Sequence, residues 1–327
     1  MLELFKRNHL FNSLLLLPYA FVIRSVVIAF PQARIPGDIF STWGSNFLRT
    51  VQEWGTGEYI LSTFIVFIQA VIINRLFIRQ SMIGEINLFP GLSYILLTAL
   101  HPSFIGMSSA LLANTTLLIS LMYLFDILKK EKQEETRFMA GWWLAVSGLL
   151  YTPYILLVLF GLIAMSILKT LKIKDIFQYL TGYVSPFLIG WMIRIIATRK
   201  LDVGVTNIFD TFGIPKFGPL YGIPDIIATS ILAILFLFSL LGYTQIISRK
   251  NIHAQKKIDT LYALVFFCFP MAFFPASISA HYAMVWLIPF SLFLALLLRM
   301  VKHPAIAESF HFILFVTAVL TQVLRLV

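Results

Sequence analysis

The chain has 327 residues, 59% of them apolar and only 12% charged, with a mean hydropathy of +0.88. Soluble domains run nearer 45–50% apolar and about 25% charged, so this composition belongs to the membrane class. A formal charge of +10 would suggest nucleic acid in a soluble protein, but here the basic residues sit in gaps between apolar runs, and no nucleic-acid partner is expected.

In chain order, Lys6 and Arg7 precede an apolar run that continues to Phe30 without a small-residue cleavage site, so 10–30 reads as a first span rather than a cleaved leader. A long loop, 31–58, follows. Within it Phe40, Trp43, Phe47, Val51 and Trp54 recur at helical spacing, which predicts an interfacial helix over 39–54 with its Trp at headgroup depth. A second span, 59–77, ends at Asn74, Arg75 and Arg79. Two broken pairs come next: 88–100 with 105–128, split at His101-Pro102, and 138–151 with 154–168, split at Thr152-Pro153. The first member of such a pair is too short to cross about 30 Å of hydrocarbon upright. Then come 176–197, a Gly- and Pro-rich loop at 198–225, and apolar runs at 226–247, 261–276, 282–298 and 305–327. The expected fold is all-α: one integral membrane domain over 1–327, a bundle of about eleven transmembrane helices with short broken helices and one interfacial helix.

The charges test this threading. Lys6, Arg7, Arg75, Arg79, Lys129, Lys130, Lys132, Arg137, Lys169, Lys172, Lys174, Arg249, Lys250, Lys256, Lys257, Arg299 and Lys302 all fall on one side, 17 of the 25 Lys and Arg. That side is expected to be cytoplasmic, with the N-terminus inside and the two long loops on the outer face of a bacterial inner membrane.

Candidate residues follow from what the topology leaves over. Arg24 lies six residues, roughly 9 Å, from the outer end of its run. Either it snorkels to the headgroups or it faces the bundle interior, where an arginine fork suits a phosphate. Arg194, close to Arg199 and Lys200, has the same two readings, with snorkelling favoured. Asp38 is either the N-cap of the 39–54 helix or an outer-face carboxylate able to take a proton. His101 and His281 sit in tight outer turns, as turn residues or proton carriers. Asp202, Asp210 and Asp225 belong to the second long loop, either a fold over a site or an ordinary connector. Gln69, Asn74 and Asn114 read as helix–helix hydrogen-bonding groups. The lone Cys268 in an apolar run excludes a disulfide framework, and no Walker A, G-x-S-x-G or H-E-x-x-H pattern is present. Neither a cofactor nor a metal is expected.

Two resemblances add to this. Ile73-Asn74-Arg75, Leu88-Phe89-Pro90-Gly91-Leu92-Ser93-Tyr94, His101-Pro102-Ser103-Phe104, Ser109-Ala110-Leu111-Leu112-Ala113-Asn114, Ser147-Gly148-Leu149-Leu150-Tyr151-Thr152-Pro153 and Gly182-Tyr183-Val184-Ser185-Pro186-Phe187 resemble a bacterial polytopic inner-membrane family of unknown function. The architecture, with an acidic first outer loop, an interfacial helix and short outer hairpins, resembles the GT-C glycosyltransferases that use polyprenyl-phosphosugars. That second resemblance implies a lipid-linked glycan substrate, Asp38 as the carboxylate near the acceptor, and Arg24 and Arg194 as ligands of the lipid phosphate. The Asp-Asp or Glu-Asp pair common in that class is missing from the first loop. Alternative expectations are a scaffold with envelope protein partners, and a transporter or lipid flippase.

Overall fold

The computed structural model describes residues 2–6, 10–30, 45–83, 86–128, 133–199, 222–248, 250–271, 280–301 and 303–325, and every regular element among them is helical. The first apolar run is three helices: α1 (Leu10–Leu14), α2 (Leu16–Ile23) and α3 (Ser25–Ala29). Pro18 has no N–H for the Leu14 carbonyl, and the helix breaks at Leu15. The second break is at Arg24, whose ψ of 7° leaves the helix. The freed Ile23 carbonyl accepts from Gln322 Nε2 at 2.9 Å.

α4 (Ser45–Gln52) covers the later part of the predicted interfacial helix, and its face against the protein is Leu48, Val51 and Gln52. Of the predicted stripe, Val51 is buried, whereas Phe47 and Trp54 are 56% and 57% exposed. The aromatics therefore point away from the bundle, and Gln52 docks the helix by donating to Met107 O at 2.9 Å. Gly55, at φ 61°, turns the chain into α5 (Thr56–Arg79), a conformation that only glycine adopts without strain.

α6 (Phe89–Leu100) and α7 (Ser109–Asp126) are separated by a 3-10 turn at Pro102–Phe104; α8 (Gln133–Leu150) and α9 (Leu157–Leu168) by another at Thr152–Leu156. α10 (Ile173–Thr198) runs unbroken through Pro186. The rest are α11 (Ile223–Leu241), the short α12 (Tyr243–Ile247), α13 (Ile252–Met271), α14 (Leu287–Met300) after a 3-10 segment at Ala280–Trp286, and α15 (Pro304–Val323). Among the described residues, six helical segments are long and apolar enough to cross a membrane: Thr56–Arg79, Ser109–Asp126, Ile173–Ile196, Ile223–Leu241, Ala283–Met300 and Pro304–Val323. Phe11–Ile23, Phe89–Leu100 and Thr152–Leu168 are apolar but shorter. α8 and α13 carry three charges each within their first two turns or so, Glu134, Glu135 and Arg137 in one and Lys256, Lys257 and Asp259 in the other, which separates them from the six.

All twelve residues of α6 are buried, so a helix only about 18 Å long fills the centre between α2, α5, α14 and α15. Gly91 lets α6 approach α5 closely: a Cβ there would meet Ala70 O at 2.7 Å, and its N–H donates to Asn74 Oδ1 at 2.7 Å. α8 and α10 touch backbone to backbone, Gly141 against Tyr179 O and Gly182 against Phe138 O. The mid-bundle polar groups hydrogen-bond between helices, as expected. Gln69 donates through Nε2 to Leu111 O (2.7 Å) and accepts at Oε1 from Tyr94 (2.7 Å); Asn114 donates through Nδ2 to Met284 O (3.0 Å) and accepts at Oδ1 from Tyr154 (2.8 Å).

Ion pairs gather the basic clusters at one end. Arg79 pairs with Asp126 at 2.9 Å and Arg137 with Asp175 at 2.8 Å, while Lys257 Nζ reaches Gln80 Oε1 at 2.8 Å. The opposite end holds the His101 turn, the start of α11 and the end of α15.

Candidate functional site

Arg24 has no exposed surface. Its Nη1 donates to Ser62 Oγ at 3.1 Å and to Ile105 O at 3.3 Å, and Ser62 itself donates to Ile105 O at 2.6 Å. Nε and Nη2 have no partner, and no carboxylate among the described residues pairs with the guanidinium. Of the two readings available for Arg24, the structure selects the interior one. Tyr94, on α6, lies within its electrostatic reach. Nε and Nη2 form one edge of the guanidinium, the fork that matches two oxygens of a phosphate or carboxylate.

Glu58, in the first turn of α5, also has no exposed surface, and its Oε1 accepts from Met107 N at 2.9 Å. Four residues separate it from Ser62, so both stand on one face of α5. The segment 101–107 thus accepts bonds from Arg24, Ser62 and Gln52 and donates one to Glu58. In the sequence Glu58 marks only the end of the 31–58 loop; the signal it carries is an acidic residue opening an apolar helix after Gly55-Thr56-Gly57.

His101 is buried in the same turn. Its Nδ1 accepts from Ser103 N at 3.2 Å, which leaves the proton on Nε2, facing Asp225 Oδ1 at 3.7 Å. Asp225 is buried in the first turn of α11 and pairs with Arg325 at 3.2 Å. Phe104 stacks on His101 (4.8 Å) and meets His281 edge-on (6.5 Å). Burial, helped by the nearby His281 and Arg325, pulls the His101 pKa down to about 3. Asp225 does not reverse this, because Arg325 already balances its charge.

A pH dependence follows. An unfolded His titrates near 6.5, so the unfolded chain takes up this proton first as pH falls. Stability from neutral His101 is complete above about 6.5 and is lost as pH drops toward 3, a loss on the order of 2 kcal/mol at pH 5. The expected result is a lower melting temperature in detergent at pH 5 than at pH 7.5. His101→Asn keeps a capping acceptor and should flatten that difference; an unchanged slope would assign the acid sensitivity elsewhere.

Of the other predicted residues, Asp38, Asp202 and Asp210 lie outside the described residues. Arg194 is half-buried on α10, which packs chiefly on α8, whereas the hydrogen bonds of Arg24 go to Ser62 on α5 and to Ile105. His101 and His281 are brought together, with Asp225 and Arg325 beside them. Among the described residues, no three His, Cys, Asp or Glu side chains are grouped to hold a metal ion. No protein-family model matches the chain, and no curated protein matches it.

Proposed function

We propose that this is a multi-pass protein of the bacterial inner membrane, crossing it about eleven times with its N-terminus in the cytoplasm. On this reading the His101 end faces the periplasm and works on a polyprenyl-phosphate-linked glycan, in the manner of the GT-C enzymes that the architecture resembles. Sidedness rests on the basic clusters, which share one end.

The observation that carries the chemical reading is the free Nε–Nη2 edge of Arg24, buried with no carboxylate to neutralise it. A buried guanidinium so poorly paired is costly, and a phosphate would supply both missing charge and missing acceptors. Arg24 holds the lipid phosphate and stabilises its developing charge on transfer. Asp38 orients or deprotonates the acceptor, with buried Glu58, one turn before Ser62 on α5, as the second carboxylate. Arg194 is the second basic candidate for the lipid phosphate.

The test uses Arg24→Ala, Asp38→Ala and Glu58→Gln, each expressed from the native locus, with membrane levels checked by immunoblot. Loss of an envelope glycan in Arg24→Ala and in one carboxylate variant is expected. Wild-type glycans at normal protein levels would refute the enzyme reading. One observation favours a second reading, a non-catalytic assembly factor: Arg24 has no accessible surface, so a ligand reaches it only after the bundle moves. That reading predicts stable co-purification with envelope proteins in mild detergent, and a clean monomer counts against it. The fully buried α6 counts against a transport path through the centre.

A further inference from the structure

A second polar site lies at the opposite end of the bundle. A cavity of about 320 Å³ opens between α1 and α5, lined by Ser13, Val71, Asn74, Arg75, Arg79 and Leu88 among others. Its volume is within the usual range of small-ligand sites, about 300–1,000 Å³. Arg79 is held in place by Asp126 at 2.9 Å. Arg75 is exposed and makes no hydrogen bond or ion pair among the described residues. Asn74 is buried; its Oδ1 accepts from Gly91 N, while its Nδ2 has no partner. The lining therefore brings together Arg75, Arg79, Ser13 and buried Asn74, with no carboxylate among the described residues that line it. Val71 and Leu88 supply an apolar wall, and exposed Phe11, Leu14 and Ile68 continue α1 and α5 as apolar surface.

We propose that this cavity binds a phosphate ester, with Arg75 and Arg79 on the phosphate oxygens and the apolar wall against the rest of the ligand. The chemistry fits the head group of an anionic glycerophospholipid or a soluble phosphate ester. The lipid source rests on the reading of the chain as membrane-spanning; it does not involve Arg24 or glycan transfer.

Native mass spectrometry of the full chain in detergent tests it, with phosphatidylglycerol, phosphatidylcholine and glycerol 3-phosphate as probes. Phosphatidylglycerol should be retained about tenfold better than phosphatidylcholine, and Arg75→Glu should abolish the preference. Arg75 is exposed, so its substitution leaves the fold intact; normal melting of the variant verifies this. Lys169→Glu, an exposed charge outside the cavity, should leave the preference unchanged. Saturable binding of glycerol 3-phosphate, lost in Arg75→Glu with the two lipids retained equally, supports the site and assigns it to a soluble ester. Equal lipid retention with no glycerol 3-phosphate binding overturns the proposal, as does a lipid preference equally weakened by both charge reversals. Normal envelope glycans in Arg24→Ala would leave each of these outcomes readable.

Discussion

Arg24→Met is expected to make the protein more stable and functionless at once. The guanidinium is removed from water with only two hydrogen bonds, both from Nη1. Replacing a poorly compensated buried charge by an apolar side chain of similar length is often stabilising, by about 1–4 kcal/mol. The neighbours tolerate the loss, because Ser62 Oγ keeps its own bond to Ile105 O at 2.6 Å. Met also fills the space that an alanine would leave empty. Thermal unfolding in detergent should shift upward by a few degrees, while the cellular phenotype matches a deletion. A drop in melting temperature would mean that Arg24 holds the turn at Ile105 together and that its burial is structural. A stabilised variant with full function would mean that its charge serves neither purpose.

Gly182→Val is expected to destabilise the bundle by roughly 3 kcal/mol, and Gly141→Val by a similar amount. A Cβ on Gly182 would strike Phe138 O, and one on Gly141 would strike Tyr179 O. The obstacle in each case is backbone, which has no rotamer to change. The helices must therefore separate, and Tyr179 and Tyr183 would lose their bonds to Val158 O and Ile155 O (3.1 and 2.8 Å). The double variant should cost less than the sum, since one separation relieves both collisions. Val184→Ala, at an exposed neighbouring position, should be close to neutral. Equal melting of Gly182→Val and Val184→Ala would show that α8 and α10 do not meet as described.

These cases show what was legible in the chain. Proline marked the breaks at His101-Pro102 and Thr152-Pro153 because the residue before it avoids helix, and both are 3-10 turns. The same rule did not extend to Pro186. There the Gly182 carbonyl, four residues back, takes a bond from Ser185 Oγ at 3.0 Å, and α10 continues. The first run shows the opposite, its helix interrupted at the single residues Leu15 and Arg24. Nothing within residues 10–30 distinguishes a snorkelling Arg24 from a buried one; the deciding partner, Ile105 O, lies 81 residues on. The meeting of His101 with Asp225 and Arg325 is likewise tertiary, drawn from three distant helix ends. Periodicity reports which residues seek apolar surroundings, and it is silent about which polar groups will share them.

The break in the first span also bears on the order of synthesis. The carbonyl exposed at Ile23 is satisfied by Gln322, 299 residues later, and Tyr19 bonds to His311, 292 residues later. Thr321 likewise covers Leu100 O at the end of α6. In hydrocarbon an unsatisfied carbonyl costs several kcal/mol. The N-terminal helices of a nascent chain must therefore wait, incompletely paired, until α15 leaves the ribosome. Interhelical assembly is expected to be late and concerted, with the early helices depending on the translocon or a chaperone in the interval.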